Sequence, residues 1–192
     1  MSYFDQYRDT LFRRVANIMV TRIDGALVEA NTGFTEWISL TRETKRTGGV
    51  HYFIGNGASA TMASHMALDS AKNAGLRATS FNDIASLTAV GNDLGYDQIF
   101  ATPLSWQATP ADLLVAISSS GKSPSILSAI ATARKLGLKV ITLSGMQPDN
   151  PAARSGDLNF YVPGRTYGAV ECAHQIILHC WLDEYMGLTE WN

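Results

Sequence analysis

Between Val50 and Met186, short apolar runs alternate with longer stretches of helical period. No other feature restricts the fold as much. Val50–Gly55 (VHYFIG), residues 76–82 (LRATSFN), Asp112–Ser118 (DLLVAIS), residues 139–145 (KVITLSG) and residues 158–164 (LNFYVPG) read as strands. Helical stretches at 56–75, at about 83–106 (broken near Gly91 and Gly95), at 124–136 and at 167–186 separate or follow them. Strands nearly continuous in apolar residues, each followed by a helix, predict an α/β fold. Its mainly parallel five-stranded sheet is covered on both faces, as a three-layer αβα sandwich. The 192 residues suffice for one domain with a well-buried core, 1–192. Its body would run over 48–192. Residues 1–47 read as an arm of two helices for packing or oligomerisation, with Leu11, Val15, Ile18 and Met19 at helical spacing. Gly25 or the group Asn31–Thr32–Gly33 would separate the two helices.

In open α/β sheets ligands bind beyond the carboxyl ends of the strands, which singles out two loops. One is GNGASA, Gly55 to Ala60; the other is SSSGKS, Ser118 to Ser123. Each joins a strand end to a helix start, where unpaired N–H groups and the helix dipole favour an anion. Gly121, Lys122 and Ser123 match the second half of a nucleotide-binding P-loop, G-x-x-x-x-G-K-[ST], but its first glycine is Ala116, inside the strand run. A strand still extended at that point cannot curl around a diphosphate, and KVITLSG offers no acidic group for Mg²⁺. The hydroxyls of Ser118, Ser119, Ser120 and Ser123 are better suited to wrap one monophosphate. Ser123–Pro124 opens the next helix as N-cap and first residue.

Acid–base and metal candidates lie on two helices. His65 and Asp69 are at i and i+4, on one face. Glu171, His174 and His179 follow one another in VECAHQIILHC. Histidines and carboxylates on two helices can bind a divalent transition metal, zinc being the usual one, or act as a general acid and base. Spacing leaves both open, and for any single histidine a core or interface role is the commoner outcome.

A formal charge of -2 leaves no electrostatic footprint for nucleic acid. No apolar run reaches membrane-spanning length, and MSYFDQYRDTLFRR carries charges where a signal peptide has an apolar stretch. Cys172 and Cys180 would sit roughly 12 Å apart along one helix, too far for a disulfide. A cytoplasmic, reducing location follows as the expectation.

GNGASATMASH, SLTAVGND, LLVAISSSGKSPSIL and VECAHQIILH together resemble the sugar isomerase (SIS) domain family, most closely its phosphoheptose isomerase branch. The resemblance extends over nearly the whole chain. It implies a flavodoxin-like sandwich, a homotetramer with sites at subunit contacts, and aldose–ketose isomerisation of a phosphosugar through an enediol. The expected substrate is sedoheptulose 7-phosphate and the expected product glycero-manno-heptose 7-phosphate. By motif position, Asn56, Gly57, Ser59, Asp93, Ser118, Ser119, Ser120, Ser123 and Glu171 would bind substrate. Asp69 and His179 would be catalytic, and His65, Asp69, Glu171 and His179 would hold one zinc ion per subunit. Asp69 stands where the family has glutamate and Glu171 where it has glutamine. Met62 and Ala169 replace an acidic residue and an arginine. The alternatives are isomerisation of another phosphosugar, or a non-catalytic phosphosugar-binding or replication-initiator-binding regulator. Retention of His179 favours the enzyme.

Overall fold

The computed structural model describes residues 1–191. Its strands are β1 (Met19–Arg22), β2 (Leu27–Val28), β3 (His51–Gly55), β4 (Ala78–Ser80), β5 (Leu113–Ser118), β6 (Lys139–Gly145) and β7 (Leu158–Val162). The helices are α1 (Tyr3–Ala16), α2 (Ala30–Arg46), α3 (Ala58–Lys72), α4 (Ile84–Asp93), α5 (Ala101–Gln107), α6 (Pro124–Leu136) and α7 (Tyr167–Met186). The sheet has seven strands in the order β2-β1-β7-β6-β5-β3-β4. Its five-strand core, β7 to β4, is parallel as expected from the sequence.

Two additional strands correct the expectation of an all-helical arm and five strands. β1 pairs antiparallel with β7, and β2 with β1. Asp24 and Gly25 turn the hairpin: Gly25 takes φ +84°, and its N–H donates to Arg22 O at 2.9 Å. Ile18 and Met19 therefore lie beyond α1, and Val20 buries itself against α2 at Gly33. An Asp-Gly turn flanked by β-branched residues is a hairpin signal; the helical spacing of Leu11 and Val15 stops at Ala16.

Strand residues alternate between two apolar cores, and this is why the strands read as continuous hydrophobic runs. Phe53, Val115, Ile117, Leu143 and Phe160 face α2, α3 and α7, where Trp37 and Trp181 stack with ring centroids 4.8 Å apart. Tyr52, Ile54, Leu114, Ala116 and Val140 face Leu104 of α5 and Ile126 and Ile130 of α6. From β3 the chain moves to β4 at one edge, then returns across β3 to β5. The strand order thus reverses between β3 and β5. The crevice outside their carboxyl ends is the place such sheets reserve for ligands.

Candidate functional site

The β3–α3 and β5–α6 loops enclose a pocket of about 250 Å³ in that crevice, lined by Asn56, Gly57, Ser59, Ser118, Ser119, Ser120, Ser123, Tyr167 and Glu171 among others. Ala116 pairs with Ile54 on one side and Thr142 on the other, so the chain is extended there and no P-loop forms. Lys122 is exposed and does not line the pocket. With no Lys or Arg in its lining, the pocket offers an anion only the amino ends of α3 and α6 and hydroxyl donors. Ser119 Oγ is buried with no hydrogen-bond partner, a cost that a ligand oxygen would relieve. Asn56 braces the far wall, donating from Nδ2 to Ser125 Oγ at 2.9 Å and Ser123 Oγ at 3.3 Å.

Further along α3, the helix face carrying His65 and Asp69 meets His179 of α7. His65 Nε2 lies 3.3 Å from Asp69 Oδ2, and the imidazoles of His65 and His179 are 5.3 Å apart between centroids. One donor atom from each of the three falls within 4.8 Å of the others. Asp69 and His179 open onto a cleft of about 840 Å³ whose walls also carry Arg42, Lys45, Lys72 and Asp183.

Glu171 does not join this group within the chain; it lines the serine pocket instead. Eight residues of helix carry it about 12 Å along the axis from His179 and roughly 80° around it. Asp93 ends α4, is exposed, accepts from Asn92 Nδ2 at 2.7 Å and lines neither cavity. His174, on the opposite side of α7, is fully buried with Nε2 3.1 Å from Ser144 O. Tyr167 was not anticipated as a pocket residue. It begins α7 behind the Thr166 N-cap, so the strand-end rule applied to the loop after β7 would have found it.

Burial pushes His174 and His51 down to about 4, against the usual 6.5, so both are neutral at pH 7. Each also keeps one ring nitrogen buried without a partner. A histidine whose folded pKa is lowered binds protons more readily when unfolded, so its contribution to stability is complete above the unfolded value. That contribution is lost as pH falls from about 6.5 towards 4. Denaturant unfolding at pH 5 is therefore expected to give a stability about 2–4 kcal/mol below that at pH 7.5. Equal stability at the two pH values would contradict this assignment.

The family model described as the SIS domain matches residues 17–145. A phosphoheptose isomerase of Mycobacterium tuberculosis is 37% identical over 141 residues, covering 70% of this chain and 71% of that protein. One of Chlorobaculum parvum is 42% identical over 111 residues, covering 54% of this chain and about half (53%) of the relative. Among solved structures, a phosphoheptose isomerase from Neisseria gonorrhoeae superposes with TM-score 0.82 at 25% identity, covering 96% of this chain and 97% of that one.

Proposed function

We propose, since the chain belongs to the SIS domain family, that it is an aldose–ketose isomerase interconverting sedoheptulose 7-phosphate and glycero-manno-heptose 7-phosphate. The observation that carries the reading is the two-part layout of one helical seam. A cation-free pocket of hydroxyls and helix amino ends lies at the start of α3 and α7, and an imidazole–carboxylate group lies about 12 Å along α7. A phosphate held at the first position and a carbonyl at the second require an open-chain sugar phosphate of some length, and a heptose suits this better than a triose. The curated relatives named phosphoheptose isomerase support the same choice.

In this reading Ser59, Ser118, Ser119, Ser120 and Ser123 anchor the phosphate. Its binding energy holds the reacting carbons against Asp69, converting affinity for the remote end into orientation. Asp69 removes the proton from the carbon beside the carbonyl, exchanges it with solvent while the enediol persists, and delivers a proton to the neighbouring carbon. Oδ2 faces His65, which leaves Oδ1 for that proton. His179 carries protons between the two substrate oxygens. Glu171 accepts hydrogen bonds from sugar hydroxyls next to the phosphate, and Asn56 and Gly57 shape the pocket wall. Asp93 stands outside both cavities, so its role in binding requires a rearrangement or a second subunit.

Two imidazoles and a carboxylate with mutually close donor atoms are a donor set that zinc accepts, with a further position left open. His65, Asp69 and His179 would hold the ion, and a His179 nitrogen bound to it is then not free to carry protons. When bound there it polarises a carbonyl or enediolate oxygen. Glu171 would complete the set only from a position different from its place in the serine pocket. A homotetramer is supported by α1, which buries none of its residues within the chain and exposes Tyr3, Phe4 and Phe12. A cytoplasmic location is supported by the free, exposed thiols of Cys172 and Cys180. No described helix is long and apolar enough to cross a membrane.

Turnover of sedoheptulose 7-phosphate in deuterated water, followed by NMR with chelator and with added zinc, tests the proposal. The expected result is solvent deuterium at C2 of the heptose product and at C1 of recovered ketose. Absence of turnover under both conditions would sink the isomerase reading and favour a binding module. Turnover without deuterium would mean that the hydrogen passes between the carbons without solvent exchange, by a fully shielded base or a hydride shift.

A further inference from the structure

We infer that Tyr96, outside both cavities, is a positioning residue that sets the polarity of the serine pocket through Asn56. The inference rests on the pocket being a phosphate site. Tyr96 opens a 3-10 turn, Tyr96–Gln98, and its side chain is largely exposed, yet its hydroxyl donates to Asn56 Oδ1 at 3.0 Å. This bond occupies the oxygen end of the Asn56 amide and turns the NH₂ end towards the β5–α6 loop. There Nδ2 donates to Ser123 Oγ at 3.3 Å and to buried Ser125 Oγ at 2.9 Å.

The direction of these bonds matters for an anion. A serine hydroxyl has one proton to donate and lone pairs to accept. When Asn56 fills a lone pair of Ser123, the Ser123 proton is left for a ligand oxygen. Ser123 is the N-cap of α6, but its side chain makes no capping bond, so the hydroxyl is not spent on the helix. A relay running Tyr96 to Asn56 to Ser123 therefore presents a donor to the phosphate, and hydrogen bonds in such a chain strengthen one another. Without the Tyr96 hydroxyl, the Asn56 amide can rotate and present its oxygen to Ser123. Ser123 would then donate to Asn56 and turn only lone pairs towards the anion.

Tyr96→Phe removes the hydroxyl and keeps the ring, at an exposed site where folding is not at stake. KM for sedoheptulose 7-phosphate and Kd for inorganic phosphate are both expected to rise about fivefold, the worth of one hydrogen bond. Turnover number and Tm should stay at their wild-type values. In an Asn56→Ala background the same substitution should have no further effect, because the relay is already cut. Ser120→Ala separates the two levels of the inference. If Ser120→Ala weakens phosphate binding and Tyr96→Phe does not, the Tyr96 role is overturned and the phosphate pocket stands. If neither variant weakens it, the pocket reading falls and takes the Tyr96 role with it. A Tyr96→Phe effect on turnover number alone, or one that persists undiminished without Asn56, would also overturn the relay.

Discussion

An Asp69→Asn variant is expected to lose about 10²- to 10⁴-fold in kcat for heptose phosphate isomerisation, the usual worth of a positioned general base. Asparagine matches aspartate in shape but cannot hold the transferred proton at Oδ1. KM should change little, because in the proposed reading the serine pocket at the other end of the seam supplies the grip on the phosphate. Folding should also be preserved, since the Asp69 side chain is partly exposed and, among the described residues, its side-chain contact is to half-exposed His65. The pattern separates a base from a binding residue: loss in kcat and kcat/KM together, with unchanged Tm. Asp69→Glu, which restores the family's residue, should keep far more activity than Asp69→Asn. Activity of Asp69→Asn within threefold of wild type would remove Asp69 from the mechanism.

The second large effect is expected at Gly121, in the turn of the serine loop. Its φ is +65°, in the left-handed region, and an added Cβ would overlap the Asn150 side chain. Asn150 is fully buried and ties several segments together. It donates to Gln147 O at 2.7 Å, Ser144 Oγ at 3.2 Å and Gly145 O at 3.3 Å, and it accepts from Ala153 N at 2.9 Å. Gly121→Ala must either distort the loop or expel this asparagine. Left-handed strain together with one or two broken buried bonds gives a loss of roughly 3–5 kcal/mol. Affinity for inorganic phosphate should fall at least about tenfold, because Ser119 and Ser120 are displaced with the turn. Urea unfolding and phosphate titration of the same preparation check both halves. The neighbouring Lys122→Ala should leave both quantities near wild type, since Lys122 is exposed and does not line the pocket. A nucleotide P-loop would show the reverse sensitivity at the lysine.

Local signals in the sequence were strong where one segment decides its own state. β5 and β6 coincide almost residue for residue with DLLVAIS and KVITLSG, α6 begins where the Ser123–Pro124 signal puts it, and α7 spans the expected 167–186. The two strand-end loops were legible for the same reason: a strand end, a glycine or serine turn and a helix start are consecutive in the chain. The hairpin at Asp24–Gly25 was also written locally. The helical spacing of Leu11, Val15, Ile18 and Met19 masks it, because that apolar period runs three residues past the end of α1 at Ala16.

Where side chains from separate elements meet was not legible in the same way. His65, Asp69, Glu171 and His179 were equally eligible partners by residue type. Helix periodicity fixes only which residues share a face of one helix, while the packing of α3 against α7 fixes which faces touch. That packing, set by the apolar layer around Met62, Met66, Ile177 and Trp181, brings His179 to Asp69, leaves Glu171 at the serine pocket and buries His174. Tyr96 reaches Asn56 across forty residues for the same reason. The sequence alone thus determined the layers, the parallel strands and the two loops that enclose the serine pocket, because propensity, capping and burial pattern act over a few residues. Only the tertiary structure decided the membership of the imidazole–carboxylate group and the relay behind the serine pocket, because both depend on distances between helices that no local spacing encodes.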